Sequence, residues 1–316
     1  MGLFTKTKNI AGWLVVSFRE DGFCVAHVSR SPSAKPEVTL ALSYPGTVPP
    51  PASALEKLAK EWRADRCQCT TLLAHGEYQM LSVDAPNVPP DELKTAIRWR
   101  LKDMLDFHID DATVDVLDIP LEKNAAVRNH SMYAVAARNQ LIEQRQELFG
   151  QAKIPLSVID IPEMAQRNIS ALLEPKDRGV ALLSFDVTGG MLTVTFGGEL
   201  YLSRRIDVTL EQLLQSDSEK KNACYDRITL ELQRSLDHFD RQYHFITLSK
   251  LVLAPLAEDA AGLREYLAAN LYIPIESLNL ESLLDISNVP ELHSLERQQH
   301  FFLALGAGLR LEEKAL

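Results

Sequence analysis

Two stretches of the chain repeat one pattern of apolar and polar positions. Gly12-Trp13-Leu14-Val15-Val16-Ser17-Phe18-Arg19-Glu20-Asp21-Gly22-Phe23-Cys24-Val25 lies over Gly179-Val180-Ala181-Leu182-Leu183-Ser184-Phe185-Asp186-Val187-Thr188-Gly189-Gly190-Met191-Leu192. Each reads as a continuous apolar strand, a Ser-Phe pair, a tight polar turn with glycine, and a second apolar strand. A third strand is expected after each, near 36–44 and 199–207. A duplicated three-strand meander, followed each time by helices and further strands, implies two related lobes facing a cleft.

Between and beyond these units the pattern alternates between helix and strand. Pro45 to Pro51 is a proline-rich connector, and 52–65 reads as a helix with Ala54, Leu55, Leu58, Ala59 and Trp62 on one face. A buried strand is expected at Thr70 to Leu73. Val88-Pro89-Pro90-Asp91-Glu92 marks a helix start, with prolines at the entry and acids in the first turn. That helix is expected to run to about Leu105, with Leu93, Ile97, Leu101, Met104 and Leu105 inward. Trp99 lies about 200° around the helix from Ile97 and should point outward beside Thr95 and Lys102. It is either a contact residue or packed on a neighbouring lobe.

Strands at 115–120 and 131–137 flank a polar excursion, 121–130. A helix from Asn139 to Ala152, a strand from Leu156 to Ile159 and a helix from Pro162 to Leu173 lead to the second meander. After it come a polar loop, 215–222, and a helix, 223–242, with Ile228, Leu232, Leu236 and Phe239 in register. A strand at 248–254, a helix at 259–270, a short strand at 273–275 and a final helix at 300–309 complete the chain.

Composition narrows the functional classes. The 316 residues are 46% hydrophobic and 24% charged, as in an ordinary globular protein. A net charge of -10 without a basic face argues against a nucleic-acid partner. Of the four cysteines, Cys24 and Cys224 read as small core residues, and Cys67-Gln68-Cys69 lacks the spacer of a zinc or redox motif. Reduced thiols in the cytoplasm are therefore expected. The eight histidines form no metal-binding motif, and no segment reaches the length of a membrane span. Met1 to Lys8 is too short and polar for a signal peptide.

The order of segments resembles the actin-like, ribonuclease-H-like α/β superfamily, and within it the pilus-assembly branch. That branch comprises PilM-like platform proteins of type IV pili, MSHA-pilus biogenesis proteins of the MshI type, and the cytoplasmic part of GspL-type secretion proteins. The resemblance is carried by Trp99 to Phe107, Asp115 to Pro120, Tyr133 to Arg138, Asp186 to Gly190, Leu202 to Ile206, Leu230 to Asp237 and Ala304 to Arg310. It implies a two-lobe fold with subdomains 1A (1–84 and 138–177), an inserted 1C (85–137), 2A (178–207 and 247–316) and 2B (208–246).

Members of the superfamily that hydrolyse ATP use the two hairpins as phosphate clamps, each with an Asp and, two positions on, a Gly. Here Arg19 stands at the first Asp position and Asp21 at the Gly position. In the second hairpin Asp186 is kept, but Thr188 replaces Gly, and Gly189 and Gly190 come one position late. Ala254-Pro255-Leu256 stands where a Gly-Gly turn would receive adenosine. The resemblance therefore implies either no cofactor, with Arg19 and Asp186 paired across an empty cleft, or ATP with Mg held by Arg19, Asp186, Thr188, Gly189 and Gly190.

Three functions follow as expectations. The first is a non-catalytic cytoplasmic scaffold, peripheral at the inner membrane, docking the cytoplasmic peptide of a PilN- or MshJ-like platform protein between 1A and 1C. The assembly motor ATPase is a second partner of that scaffold. Arg98, Trp99, Lys102 and the excursion 121–130 are its expected contacts. The others are a nucleotide-switched assembly protein or kinase and a filament former.

Overall fold

The computed structural model describes residues 10–31, 34–121, 130–256 and 262–311. Two five-stranded sheets share one plan. The first contains β1 (Trp13–Arg19), β2 (Gly22–Ser29), β3 (Glu37–Pro45), β4 (Gln68–Leu72) and β8 (Leu156–Asp160), in the order β3-β2-β1-β4-β8. The second contains β9 (Gly179–Asp186), β10 (Gly189–Phe196), β11 (Glu199–Ile206), β12 (Leu248–Leu253) and β13 (Ile275–Ser277), in the order β11-β10-β9-β12-β13. In each, the meander is antiparallel and the last two strands join in parallel. The register agrees too: Arg19 pairs with Gly22 as Asp186 pairs with Gly189.

Both sheets are buried on two faces, which is why their central strands are apolar at consecutive positions rather than alternating. Leu14, Val16 and Phe18 pack on α1 (Ala52–Glu61) and α3 (Asn139–Gln151) through Leu55, Leu58 and Phe149. The opposite face, with Val15, Ala26 and Val28, meets Ala165 and Ile169 of α4 (Pro162–Leu173) and Phe301 and Leu305 of α8 (Leu295–Gly308). Val180 and Leu182 of the second sheet enter this same cluster. Behind the second sheet lie α6 (Ser218–Gln242) and α7 (Gly262–Asn270), holding Ile228, Leu232 and Leu263 against Leu183 and Val194.

The central helices exchange lobes. The last helix, α8, covers β1 and β2 of the first sheet, while α4 covers β9 and β10 of the second. Gly306 allows their contact, since a Cβ there would stand 2.3 Å from the Ala165 carbonyl oxygen. Asn168 Nδ2 donates to the Gly306 carbonyl at 3.0 Å. Fully buried Gln166 donates to the Leu182 carbonyl at 2.8 Å and accepts from Ser184 Oγ at 2.6 Å. Gln166 and Asn168, two of the polar side chains that α4 buries, thus have partners, as burial demands.

A third sheet, β5 (Tyr78–Asp84), β6 (Ala112–Asp118) and β7 (Ser131–Arg138) in the order β5-β7-β6, packs one face on α2 (Pro90–Leu101). Its other face turns Leu117 and Tyr133 to the second lobe, where Tyr133 Oη donates to the Tyr201 carbonyl at 3.2 Å. Strand β5 pairs with β7 from Tyr78–Ala137 to Asp84–Ser131.

Several local expectations are corrected. Helix α2 stops at Leu101, so Met104, expected inward, lies beyond it and is 48% exposed. The segment 215–222 is largely helical: Asp217 accepts from the Glu219 and Lys220 amides and starts α6 at Ser218. Thr209 and Gln212 form a capping box that starts a short α5 (Leu210–Leu214). Helix α8 begins at Leu295 rather than His300. Cys224 is only half-buried, whereas Cys24, Cys67 and Cys69 are buried, and all four are free. Residues 122–129 of the polar excursion lie outside the described residues.

Candidate functional site

The hairpin turns come first, because the nucleotide question turns on them. Asp186 Oδ1 accepts from the Thr188 amide at 2.7 Å, the Thr188 hydroxyl at 2.6 Å and the Gly189 amide at 3.1 Å. Arg205 Nη2 adds a bond to Thr188 Oγ1 at 2.8 Å. Arg19, in the equivalent place, cannot accept a hydrogen bond. Its Nη1 instead donates to the His300 carbonyl of α8 at 3.2 Å, and its Nε lies 3.6 Å from Asp21 Oδ1. The expected Arg19–Asp186 pair across the cleft is therefore not formed. Each side chain is held by nearer partners.

The glycines have structural tasks. Gly22 and Gly189 both have positive φ, +141° and +138°. A Cβ would stand 2.1 Å from the Tyr44 carbonyl oxygen at Gly22 and 2.9 Å from that of Ile206 at Gly189. Each is thus required by the third strand of its own sheet. At Gly190 a Cβ would meet the Phe185 ring at 2.7 Å. After β12, the Ala254 amide donates to the Leu183 carbonyl at 2.8 Å and Leu256 packs on the second core. The amides of Thr188 and Gly189 thus serve Asp186, and both Gly22 and Gly189 lie close against backbone. Among the described residues, no three His, Cys, Asp or Glu side chains are grouped to hold a metal ion.

The surrounding groups are charged and partly buried. Burial, then Arg205, lowers the pKa of His75 on the loop after β4. Glu163, in the first turn of α4, accepts from Tyr78 Oη at 2.6 Å, and burial raises its carboxyl pKa. Asp160 accepts from Arg310 Nη1 at 2.5 Å, yet burial still raises its pKa. His300 shares a hydrogen bond with Ser43 Oγ at 2.8 Å. Burial, Arg19 and Arg297 push its pKa down to about 4.

Arg98, Trp99 and Lys102 are brought together on α2, at a cavity of about 420 Å³ that Thr95, His108 and Asp110 also line. Trp99 is 72% exposed. Arg98 differs from expectation: Nη1 donates to the Ala112 carbonyl at 2.6 Å and Nη2 to that of Ile109 at 2.8 Å, so it braces the helix against β6.

None of these three lines the groove between the first lobe and the inserted unit. That groove, about 260 Å³, is walled by Thr113, Val135, Ile142, Gln146, Ser157 and Ile159, among others. Strands β6 and β8 each end their sheet, so it runs between two strand edges. The sequence reading missed these residues, since an edge is defined only once strand order is known.

No family model matches the chain, and no curated protein matches it. Among solved structures, a chain of a PilM–PilN type IV pilus biogenesis complex is similar with a TM-score of 0.71 at 20% identity, covering 95% of this chain and 99% of that one. The fold is actin-like. Lower-scoring similarities include the cytoplasmic domain of EpsL, an inner-membrane component of the type II secretion system of Vibrio cholerae (TM-score 0.47, 15% identity, 78% of this chain and 84% of that). Another is a Bacteroides thetaiotaomicron protein with an actin-like ATPase fold (TM-score 0.48, 12% identity, 93% of this chain and 99% of that). In this actin-like frame the two five-stranded sheets are the lobe cores, and the three-stranded sheet is the inserted unit beside the first.

Proposed function

We propose that the chain is a non-catalytic, PilM-like scaffold of a type IV pilus platform of the MSHA kind. It docks the cytoplasmic segment of a PilN- or MshJ-like inner-membrane protein, and the assembly motor ATPase is its second partner. The groove between β6 and β8 carries this reading. An extended peptide gains main-chain hydrogen bonds along a free strand edge and specificity from pockets for alternate side chains. Val135, Ile142 and Ile159 supply apolar walls, while Thr113, Gln146 and Ser157 supply polar groups. The similarity over nearly the whole chain to a component of a PilM–PilN complex supports the choice of partner. No described helix is long and apolar enough to cross a membrane, so such docking would hold the chain at the inner membrane's cytoplasmic face. The self-bonded Asp186 turn and the enclosed glycines favour a scaffold without nucleotide.

The test is calorimetric titration with a synthetic peptide covering the cytoplasmic end of the PilN-like protein from the same organism. Saturable binding is expected, lost when the exposed groove residue Ser157 is replaced (Ser157→Trp) and kept by Trp99→Ala. Undiminished binding to Ser157→Trp would overturn the groove assignment. Mg-ATP up to about 1 mM, the weak end of useful affinity, should give no binding heat. Saturable Mg-ATP binding abolished by Asp186→Ala would make the chain a nucleotide-gated switch instead.

A further inference from the structure

The cavity on α2 has no lining residue in common with the groove, and its chemistry is different. Trp99 forms an apolar wall that remains largely in water. Lys102 is exposed and in no ion pair among the described residues. Arg98 is held by two neutral carbonyls, so its charge meets no carboxylate there, although its guanidinium is fixed in place. The one acid on the wall, Asp110, sits 3.5 Å from His108 Nδ1. Two cations therefore stand against one carboxylate, in a chain whose net charge is -10.

We infer that this cavity is a second docking site, taking a short acidic segment of a partner protein. A carboxylate of that segment sits toward Lys102 and Arg98, and an adjacent apolar side chain covers Trp99. Exposed Trp beside a preorganised Arg is the composition of an interface hot spot. Because Arg98 is already immobilised, binding loses little side-chain freedom at that residue. A lipid surface fits less well, since one free lysine contributes only about 1 kcal/mol at an anionic bilayer. The inference does not rest on the groove, with which this cavity shares no lining residue.

The full chain would be immobilised and panned with a phage-displayed library of random dodecapeptides, and the enriched peptides synthesised for fluorescence anisotropy. The expected consensus pairs Asp or Glu with Leu, Phe or Trp. Trp99→Ala should weaken those peptides about thirtyfold, the effect of losing one hot-spot anchor. Lys102→Glu should weaken them comparably, while Ser157→Trp leaves them bound. Both test residues are exposed, so native folding is expected and is checked by circular dichroism. The proposal is overturned if no enriched peptide responds to Trp99→Ala. It is equally overturned if Trp99→Ala abolishes co-sedimentation with phosphatidylglycerol vesicles or self-association of the free chain, which would assign the surface to a membrane or a second copy.

Discussion

At the β9–β10 turn Asp186 closes the chain on itself; at the β1–β2 turn, in the same register, Arg19 reaches outward to α8. The frames are alike and the fastenings are not. One turn is a self-contained cap of the second lobe, while the other ties the first sheet to the helix that covers it. The repeated glycines mark what the two turns share, close passage beside a third strand. The residue facing each glycine marks what diverged. In this chain the close approach of the third strand accounts for each turn glycine.

The largest expected effect breaks the shared feature. Gly22→Ala places a Cβ against the Tyr44 carbonyl at positive φ and should cost roughly 3 kcal/mol or more in urea denaturation. Gly189→Ala, with a looser contact, should cost roughly 2 kcal/mol. Equal losses would show that the two turns are equally crowded. Next in size, Asp186→Ala strips three hydrogen bonds from one turn and should cost about 1–2 kcal/mol. Arg19→Ala removes one partly exposed bond and should cost below about 1 kcal/mol; the reverse ranking would mean that the tie to α8 dominates.

The smallest effect is read from pH. The folded pKa of His300 is about 4, below its unfolded value of about 6.5. Between these values the unfolded chain binds the extra proton, so this group's contribution to stability falls as pH drops from 6.5 toward 4. His300→Asn should lose less stability than the parent between pH 7 and pH 5. The buried acids Asp160 and Glu163 have raised pKa values and act in the opposite direction, but they are common to both proteins and cancel in the comparison. Parallel pH profiles would remove His300 from the account.

Most of the frame was legible because a strand buried on both faces writes an unbroken apolar run, and the run occurs twice. Trp99 was legible from helix angle alone, since neighbours on a helix are set by local geometry. Met104 was not: the apolar spacing continues past Leu101 while the backbone leaves the helix. Asp217 was hidden because a cap reads like any loop acid until the amides it accepts from are placed. Arg98 looked like a surface cation, and only β6 and the turn before it supply the carbonyls that hold it inward. The groove was least legible, as its walls come from β6, β7, α3 and β8, brought together by crossings that no local pattern encodes.

The placement of α8 also sets an order of events during synthesis. The first sheet is complete once β8 has been made, yet α8, which covers its inner face, ends at Gly308. At about 5–20 residues per second, roughly 7–30 s separate the two. Throughout that interval Val15, Ala26 and Val28 lack their final cover. The lobe whose strands are made first is therefore among the last parts to finish folding, and a chain truncated before Leu295 should aggregate from its N-terminal half.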